Sequence, residues 1–224
     1  MLQKHKKYLQ VALNSTLADA ERIIRTLPAS DRIIMEAGTP LIKSFGYNAI
    51  SKIRQVWSYS NSFSRLEPYV VADLKTMDRG ETEAKIAWEA GAGGAIVLGL
   101  APLETLNAFI GACEKFKIDS MVDMMNVEQP IKILRKLKKP PNVVILHRGV
   151  DEETFNKTKP IPYLQINKIR ATTQTLIAIA GGDTLREVQR AIFNDADIVV
   201  VWKDFYSSSL QTGALAAEFL KEIK

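Results

Sequence analysis

Short apolar runs alternate with amphipathic patterns along the whole chain, which predicts strands separated by helices. The runs at 143–147 (VVILH) and 198–202 (IVVVW) are apolar at consecutive positions rather than at every second one. Such runs are typical of parallel strands that are covered on both faces. Eight strands are predicted in this way: Tyr8–Leu13, Arg32–Ala37, Tyr69–Lys75, Gly94–Leu100, Ser120–Met125, Asn142–His147, Leu176–Ala180 and Ile198–Trp202.

Helical periodicity fills the segments between these runs. After the first strand, Leu17, Ala20, Ile23 and Leu27 recur at helical spacing, and Pro28 ends the pattern. Eight helices are predicted: Thr16–Leu27, Tyr47–Trp57, Glu81–Ala90, Leu103–Phe116, Pro130–Leu137, Tyr163–Arg170, Thr184–Phe193 and Leu210–Ile223.

This alternation predicts a closed (β/α)8 TIM barrel that forms a single α/β domain over residues 8–224, preceded by a basic tail at 1–7. An open doubly wound sheet is the alternative, but it more often has a glycine-rich first turn, which the segment 14–16 lacks. Two connections exceed the usual length. Residues 58–68 are polar and serine-rich and predict a mobile surface loop, whereas residues 150–160 follow the sixth strand and are a candidate lid.

Composition excludes several classes of function. The net charge is +5, and the basic clusters at 4–7 and 135–139 contain no interleaved aromatic residue that could stack on bases, so nucleic-acid binding is not expected. A mildly positive surface favours anionic metabolites. No apolar run is long enough to cross a bilayer, and no signal peptide is recognised at the start. The single cysteine, Cys113, predicts a buried core residue in a protein of the reducing cytoplasm.

Polar residues follow the apolar runs at several strand ends. In a barrel of this type the carboxyl ends of the strands meet at one mouth, where catalytic residues are found. The candidates at these ends are Asn14, Glu36, Asp73, Lys75, Asp123 and His147.

The third strand carries the sharpest of these signals. Asp73 and Lys75 are two positions apart, so both side chains should point into the barrel, and Asp78 lies just beyond. An internal ion pair with an acid at the next helix start is the alternative interpretation. Because desolvation offsets much of the attraction in a buried pair, and because a third carboxylate is near, the pattern favours a functional site.

Four motifs resemble those of the orotidine 5'-monophosphate decarboxylase superfamily, and in particular its 3-hexulose-6-phosphate synthase branch. They are D-x-K-x-x-D at 73–78, EAGTPLIK at 36–43, H-x-G-x-D at 147–151 and AGG at 180–182. The resemblance runs from the first strand to the eighth. It is greatest to the synthase domain that is fused behind a formaldehyde-activating domain in methanogenic archaea, which implies that residues 1–7 are the remnant of a linker and that such a domain is fused to or paired with the barrel.

The resemblance implies a Mg2+-dependent aldolase that joins formaldehyde to D-ribulose 5-phosphate, giving D-arabino-hex-3-ulose 6-phosphate, and that also catalyses the reverse cleavage through an enediolate. Glu36 and Asp73 would hold the metal, and their hard oxygens favour Mg2+ over zinc. Lys75 would stabilise negative charge, and His147 would carry the proton. Asp78 would reach into the neighbouring subunit, which implies a homodimer with shared active sites.

The phosphate of such a substrate is expected near the ends of the seventh and eighth strands. Gly181 and Gly182, followed by Asp183 and Thr184 at a helix start, offer backbone N–H groups. Lys203 could add charge, and Arg148 is a second phosphate or lid contact, with a surface ion pair as its alternative role.

Two positions depart from the family pattern. Asn14 stands where an aspartate is usual, and Trp202-Lys203-Asp204 replaces a glycine-rich turn, so that Trp202 could narrow the pocket. Three hypotheses therefore remain: the aldolase, a 3-keto-L-gulonate 6-phosphate decarboxylase of the same superfamily, and a non-catalytic barrel kept for dimerisation or for sensing a sugar phosphate. Orotidylate decarboxylase fits less well because it leaves Glu36 unexplained.

Overall fold

The computed structural model describes residues 1–64, 66–156, 158–182, 184–207 and 211–223. Eight parallel strands pair in chain order, and the first pairs with the last to close the barrel, so the predicted (β/α)8 fold is confirmed. The strands are β1 Tyr8–Leu13, β2 Ile33–Ala37, β3 Val70–Thr76, β4 Gly94–Leu98, β5 Asp119–Asp123, β6 Val143–His147, β7 Leu176–Ala180 and β8 Ile198–Val201.

Eleven α-helices lie within the described residues, and they include one at every position where the sequence predicts a helix. They are α1 Leu17–Ile24, α2 Thr39–Phe45, α3 Asn48–Ser60, α4 Gly80–Glu89, α5 Leu103–Phe116, α6 Pro130–Leu134, α7 Val150–Phe155, α8 Leu164–Arg170, α9 Leu185–Phe193, α10 Lys203–Ser207 and α11 Thr212–Glu222. The additional helices α2, α7 and α10 follow β2, β6 and β8 at the mouth, and each has seven residues or fewer.

The two long connections are more ordered than the sequence indicates. Residues 58–60 are the last turn of α3, and a 3-10 turn follows at Ser62–Ser64. The candidate lid begins with α7. Arg65, Lys157, Asp183 and Leu210, which belong to predicted loops, to the phosphate motif and to the start of the last helix, lie outside the described residues.

The barrel interior is apolar at its base and polar at its mouth. Along a strand, alternate residues face inward, so Ile34 is followed by Glu36, Val71 by Asp73, Met121 by Asp123 and Ile145 by His147. The four apolar members of these pairs belong to the inner cluster of buried residues. The base is therefore filled, and the next inward position of each of these strands carries a polar side chain.

Residues 1–7 lie against the N-terminal ends of the strands. The backbone N–H of Leu2 donates to Asp119 Oδ2 at 2.8 Å, and Lys6 and Lys7 form ion pairs with Asp31 and Asp195.

Cys113 is buried, as predicted, and burial raises the pKa of its thiol to about 12. Among the described helices, none combines the length and the apolar character that crossing a membrane requires.

Candidate active site

A cavity of about 670 Å³ opens at the carboxyl ends of the strands. All six strand-end residues that the sequence singled out lie on its wall, together with Arg148 and Gly181. The structure therefore brings together at one mouth, as predicted, the side chains of Asn14, Glu36, Asp73, Lys75, Asp123 and His147. Gly182, Lys203 and Asp78 do not line the cavity.

Strand β3 is irregular at the positions of its charged residues, Asp73 and Lys75. Its register against β4 is irregular between Ala72 and Thr76, and Lys75 has a φ of +46°. A left-handed conformation is uncommon for a residue other than glycine and often marks a functional site. The Lys75 ammonium nevertheless reaches inward, where it donates to Asp73 Oδ2 at 2.9 Å and to Asp123 Oδ2 at 3.2 Å.

The charge of Lys75 is secured by these two partners. Burial alone would lower the pKa of its ammonium, but the carboxylates of Asp73 and Asp123 outweigh burial and raise the pKa above its ordinary value. Lys75 therefore presents a permanent positive charge to the cavity at physiological pH.

His147 is held by Asp123, which is almost fully buried at 1% side-chain exposure. His147 Nδ1 lies 2.8 Å from Asp123 Oδ2, and the N–H of Met125 donates to Asp123 Oδ1. Burial alone would lower the pKa of His147, yet the Asp123 carboxylate raises it. Burial would in turn raise the pKa of Asp123, but the positive charges of His147 and Lys75 lower it. Because Nδ1 faces the carboxylate, Nε2 is the ring nitrogen left for proton exchange with a substrate.

Glu36 and Asp73 form a pair of crowded carboxyl groups on adjacent strands. Burial and the negative charge of Asp73 raise the pKa of Glu36 to about 7. Gln10 Nε2 donates to Glu36 Oε2, and the Thr39 hydroxyl donates to Asp73 Oδ2. Asp73 Oδ1 is buried and has no hydrogen-bond partner in the described part of the chain.

This pair fits a divalent cation of the Mg2+ type. Two carboxyl groups repel each other when both are ionised, and a buried oxygen without a donor accepts a hard cation readily. Among the described residues no three His, Cys, Asp or Glu side chains are grouped as metal ligands. A cation here would therefore take Glu36 and Asp73 from the protein and its remaining oxygens from water and substrate.

The predicted phosphate residues are brought together only in part. Gly181 has a φ of +96°, and a Cβ there would lie 2.2 Å from the carbonyl oxygen of Arg148, so glycine is required where the loops after β6 and β7 touch. Arg148 Nη2 donates to Gly181 O at 2.8 Å and lies 3.6 Å from Glu153 Oε1. The Lys203 ammonium is ion-paired with Glu153 Oε2.

The start of α9 is less open than the sequence indicates. The N–H of Thr184 donates to the Glu187 carboxylate, and the N–H of Glu187 donates to the Thr184 hydroxyl, in a capping box. These two N–H groups are already bonded and are therefore not available to a phosphate.

Asp78 lies apart from the cavity of its own chain. Its side chain is exposed, and its carboxylate accepts a hydrogen bond of 2.7 Å from the N–H of Arg79. Asp78 therefore does not line the cavity of its own protomer in this structure.

The two departures from the family pattern both lie at the mouth. A Cβ on Gly38 would come within 1.8 Å of Asn14 Oδ1, so the Asn14 amide lies directly against the start of α2. Trp202 is on the cavity wall, as predicted, and its ring meets Tyr206 edge-on at 6.3 Å. The Tyr206 hydroxyl in turn accepts from the N–H of Asn14 at 2.8 Å.

Sequence reasoning missed Gln10 and Thr39, and it gave Asp123 no partner. Gln10 is one amide inside an apolar run, and Thr39 belongs to a short helix that the periodicity did not predict. The one available signal was the inward position of Gln10, two residues after Tyr8 on β1.

Known proteins resemble this chain over almost its whole length. It is 38% identical to the bifunctional enzyme Fae/Hps of Methanocella arvoryzae over 221 residues, which is 97% of this chain and 53% of the relative. The Fae/Hps enzyme of Methanocaldococcus jannaschii is 39% identical over 199 residues, 88% of this chain and 48% of the relative. The chain thus spans about half the length of the curated relatives it matches.

Solved structures show the same architecture. The 3-hexulose-6-phosphate synthase of Salmonella typhimurium superposes with a TM-score of 0.83 at 27% identity, over 96% of this chain and 98% of that one. The 3-keto-L-gulonate-6-phosphate decarboxylase of Vibrio cholerae has a TM-score of 0.73 at 22% identity, over 97% of each chain, and at that identity only the fold is shared. The model of the orotidine 5'-phosphate decarboxylase / HUMPS family matches residues 7–214, and the chain belongs to this family.

Proposed function

We propose that the barrel is a Mg2+-dependent 3-hexulose-6-phosphate synthase, which condenses formaldehyde with D-ribulose 5-phosphate and catalyses the reverse cleavage. The observation that carries the proposal is the chain of contacts from Asp73 through Lys75 and Asp123 to His147 on the wall of one cavity. Support comes from relatives that are named Fae/Hps and are 37–40% identical to this chain.

The first chemical step is removal of a proton from the carbon next to the ketone of the sugar phosphate. His147 accepts this proton through Nε2, since Asp123 holds the opposite side of the ring. The electron pair that remains forms an enediolate, whose negative charge is met by the fixed ammonium of Lys75.

The second step forms the new carbon–carbon bond. The enediolate carbon attacks the carbonyl carbon of formaldehyde, and the proton held by His147 is delivered to the formaldehyde oxygen. His147 is then neutral again, and no group is lost from either reactant. The reverse sequence cleaves the hexulose phosphate.

Glu36 and Asp73 would hold the divalent cation. When bound, Mg2+ supplies a Lewis acid that polarises oxygens next to the reacting carbon. The chain's own contribution is to bring two carboxylates and one ammonium to the same wall of the cavity.

The phosphate would lie at the opposite side of the mouth, near Gly181, Gly182, Arg148 and Lys203. Arg148 is anchored to Gly181 O, so its guanidinium is fixed beside the glycine turn. The proposal also includes a homodimer in which Asp78 completes the partner's site. It further includes a cytoplasmic location and association with a formaldehyde-activating domain.

The decisive experiment follows the loss of formaldehyde in the presence of D-ribulose 5-phosphate and Mg2+. Asp73→Asn should abolish turnover while the circular-dichroism spectrum stays that of the wild type. Full activity in this variant would remove the metal assignment. If formaldehyde is not consumed but 3-keto-L-gulonate 6-phosphate releases carbon dioxide, the decarboxylase is correct. If neither reaction occurs and the sugar phosphate still binds, the barrel is a sensor.

A further inference from the structure

Each of the two crowded carboxylates has one oxygen held by neighbouring donors. Gln10 Nε2 lies 2.5 Å from Glu36 Oε2. The Thr39 hydroxyl and the Lys75 ammonium lie 2.7 Å and 2.9 Å from the same oxygen of Asp73, Oδ2. The donors are thus concentrated on one oxygen of each group, and Asp73 Oδ1 is left buried without a donor in the described residues.

The unpaired atoms of this cluster are costly for a protein interior. Gln10 Oε1 is buried and without a partner in the described residues, as is Asp73 Oδ1. A buried acceptor that lacks a donor destabilises the folded state, because it has given up its hydrogen bonds to water and gained none in return. Two such atoms, on two residues that line the same cavity, indicate that the cluster is arranged for a bound species rather than for the stability of the fold.

The position of Gln10 explains why the residue is a glutamine. Gln10 is 1% exposed and points from β1 into the barrel interior. Strand β1 is paired with β2, which carries Glu36. In the register of the two strands Glu36 stands opposite Ala12, one inward position above Gln10. A long amide can span this offset to Glu36, whereas the small side chain of Ala12 leaves the space above it free.

Thr39 ties the start of α2 to the irregular part of β3. Its hydroxyl lies 2.9 Å from the backbone oxygen of Asp73 as well as 2.7 Å from Oδ2. Since β3 leaves its regular pairing with β4 between Ala72 and Thr76, the backbone oxygen of Asp73 lies in the irregular stretch and is bonded from α2 instead. Because the Thr39 hydroxyl has a single proton, the two contacts with Asp73 share one donor, and the carboxylate oxygen Oδ2 is the nearer acceptor.

We infer that Gln10 and Thr39 are positioning residues that turn Glu36 Oε1 and Asp73 Oδ1 toward a divalent cation. They act through the two carboxylates, in the way that partners of metal ligands orient them in other proteins. The inference rests on the metal-binding part of the proposed function and adds two residues to it.

The test measures binding of Mg2+ itself by calorimetry, with D-ribulose 5-phosphate present and formaldehyde absent, so that no turnover occurs. Thr39→Val keeps the shape of the side chain and removes the hydroxyl, and Gln10→Leu removes the amide. Each should weaken the binding of Mg2+ 10- to 100-fold. Thr39→Ser keeps a hydroxyl at this position and should bind Mg2+ like the wild type.

Two controls remove comparable buried groups far from the cavity. Thr175→Val deletes a buried hydroxyl that donates to Pro141 O at 2.6 Å. Asn61→Leu deletes a buried amide that donates to Trp57 O at 2.9 Å and whose oxygen, like that of Gln10, has no partner among the described residues. Both controls should lower the melting temperature and leave the affinity for Mg2+ unchanged.

The outcomes separate this inference from the metal proposal. If Glu36→Gln and Asp73→Asn abolish Mg2+ binding while Thr39→Val and Gln10→Leu bind Mg2+ like the wild type, the positioning role is overturned and the metal site stands. If the wild type itself binds no Mg2+ under these conditions, the metal site is wrong, and the positioning role is overturned with it.

Discussion

His147 Nδ1 and Asp123 Oδ2 are 2.8 Å apart, and this contact joins the neighbouring strands β6 and β5 on the inner face of the barrel. Asp123 also accepts from Lys75, so one buried carboxylate orients both the proton carrier and the fixed positive charge of the site. The sequence contains only two histidines, and the other, His5, is exposed at the opposite end of the barrel.

Asp123→Asn should therefore move the titration of His147 to lower pH. The Asp123 carboxylate raises the pKa of His147 against the effect of burial, so without it burial dominates and the pKa falls. In NMR spectra the two histidine rings can be followed separately. We expect the His147 signals of the variant to titrate below those of the wild type.

The same variant should lower kcat/KM by roughly 100-fold, because the proton carrier loses both its orientation and its basicity. In the wild type the ascending limb of the pH profile should have a pKa above the ordinary value of 6.5. At saturating Mg2+ this limb should shift to lower pH in Asp123→Asn. An unshifted limb would show that the pKa of His147 does not control the rate.

The raised pKa of Glu36 predicts how the free energy of unfolding of the metal-free protein depends on pH. Its pKa is about 7 in the folded state against 4.5 without the surrounding structure, so the folded state binds this proton more tightly than the unfolded state. The contribution of the protonated group is complete below about pH 4.5 and is lost as the pH rises to about 7. A shift of this size corresponds to roughly 3 kcal/mol in the free energy of unfolding.

Chemical denaturation at a series of pH values in the presence of a chelator would measure this loss. Glu36→Gln carries no titrating group at position 36, so the difference between the variant and the wild type should grow between pH 4.5 and 7 and then stay level. Parallel curves for the two proteins would contradict the perturbed pKa of Glu36. Added Mg2+ should stabilise the wild type chiefly above pH 7, where the carboxylate is ionised.

The architecture could be predicted closely because strand and helix patterns depend on local periodicity. The predicted bounds of β1, β7 and α5 agree with the structure to the residue. The short helices α2, α7 and α10 were missed because a helix of seven residues or fewer completes at most two turns and gives a weak repeat; among the described α-helices of that length only α6 and α8 were predicted.

Of the candidate site, only the features that depend on the residue pattern within one strand could be predicted from the sequence. The alternation along β3 was enough to place Asp73 and Lys75 on the inner face. The hydrogen bond between Thr39 and Asp73 joins residues 34 positions apart, and the one between Gln10 and Glu36 spans 26 positions. Such contacts depend on strand register and on the start of a helix, which the pattern of hydrophobic residues along the chain does not contain.

Lys203 and Glu153 supply a prediction about substrate affinity. In the structure the Lys203 ammonium is neutralised by Glu153, and Arg148 lies 3.6 Å from the same carboxylate. If these cations bind the phosphate, Glu153→Gln removes a carboxylate that competes for them and should lower KM for D-ribulose 5-phosphate about five-fold, which corresponds to about 1 kcal/mol for a partly exposed pair. Lys203→Met should raise KM, with kcat unchanged in both variants.

Lys139→Met is the matched control for the loss of one positive charge. Lys139 pairs with Glu114 on the surface and does not line the cavity, so its replacement should leave KM unaltered. A KM that rises equally in Lys139→Met and Lys203→Met would indicate a general electrostatic effect on the anionic substrate. An unaltered KM in Lys203→Met would exclude Lys203 from the phosphate site.

Asp78 provides the test of shared active sites. It is exposed and lies outside the cavity of its own chain, so within an isolated protomer its replacement should not disturb the residues that surround His147. If it completes the site of a partner copy, Asp78→Asn should reduce kcat by roughly 100-fold with little change in melting temperature. The measurement is a comparison of kcat and of thermal unfolding with the wild type.

Mixing two inactive variants distinguishes a shared site from a local effect. A hybrid dimer of Asp78→Asn with His147→Asn contains one site with both defects and one with neither, because each site combines His147 of one protomer with Asp78 of the other. Partial activity should therefore return after the two proteins are unfolded and refolded together, but not after they are refolded separately. A mixture that stays inactive while forming dimers would mean that Asp78 serves its own protomer, and full activity of Asp78→Asn alone would mean that it serves neither.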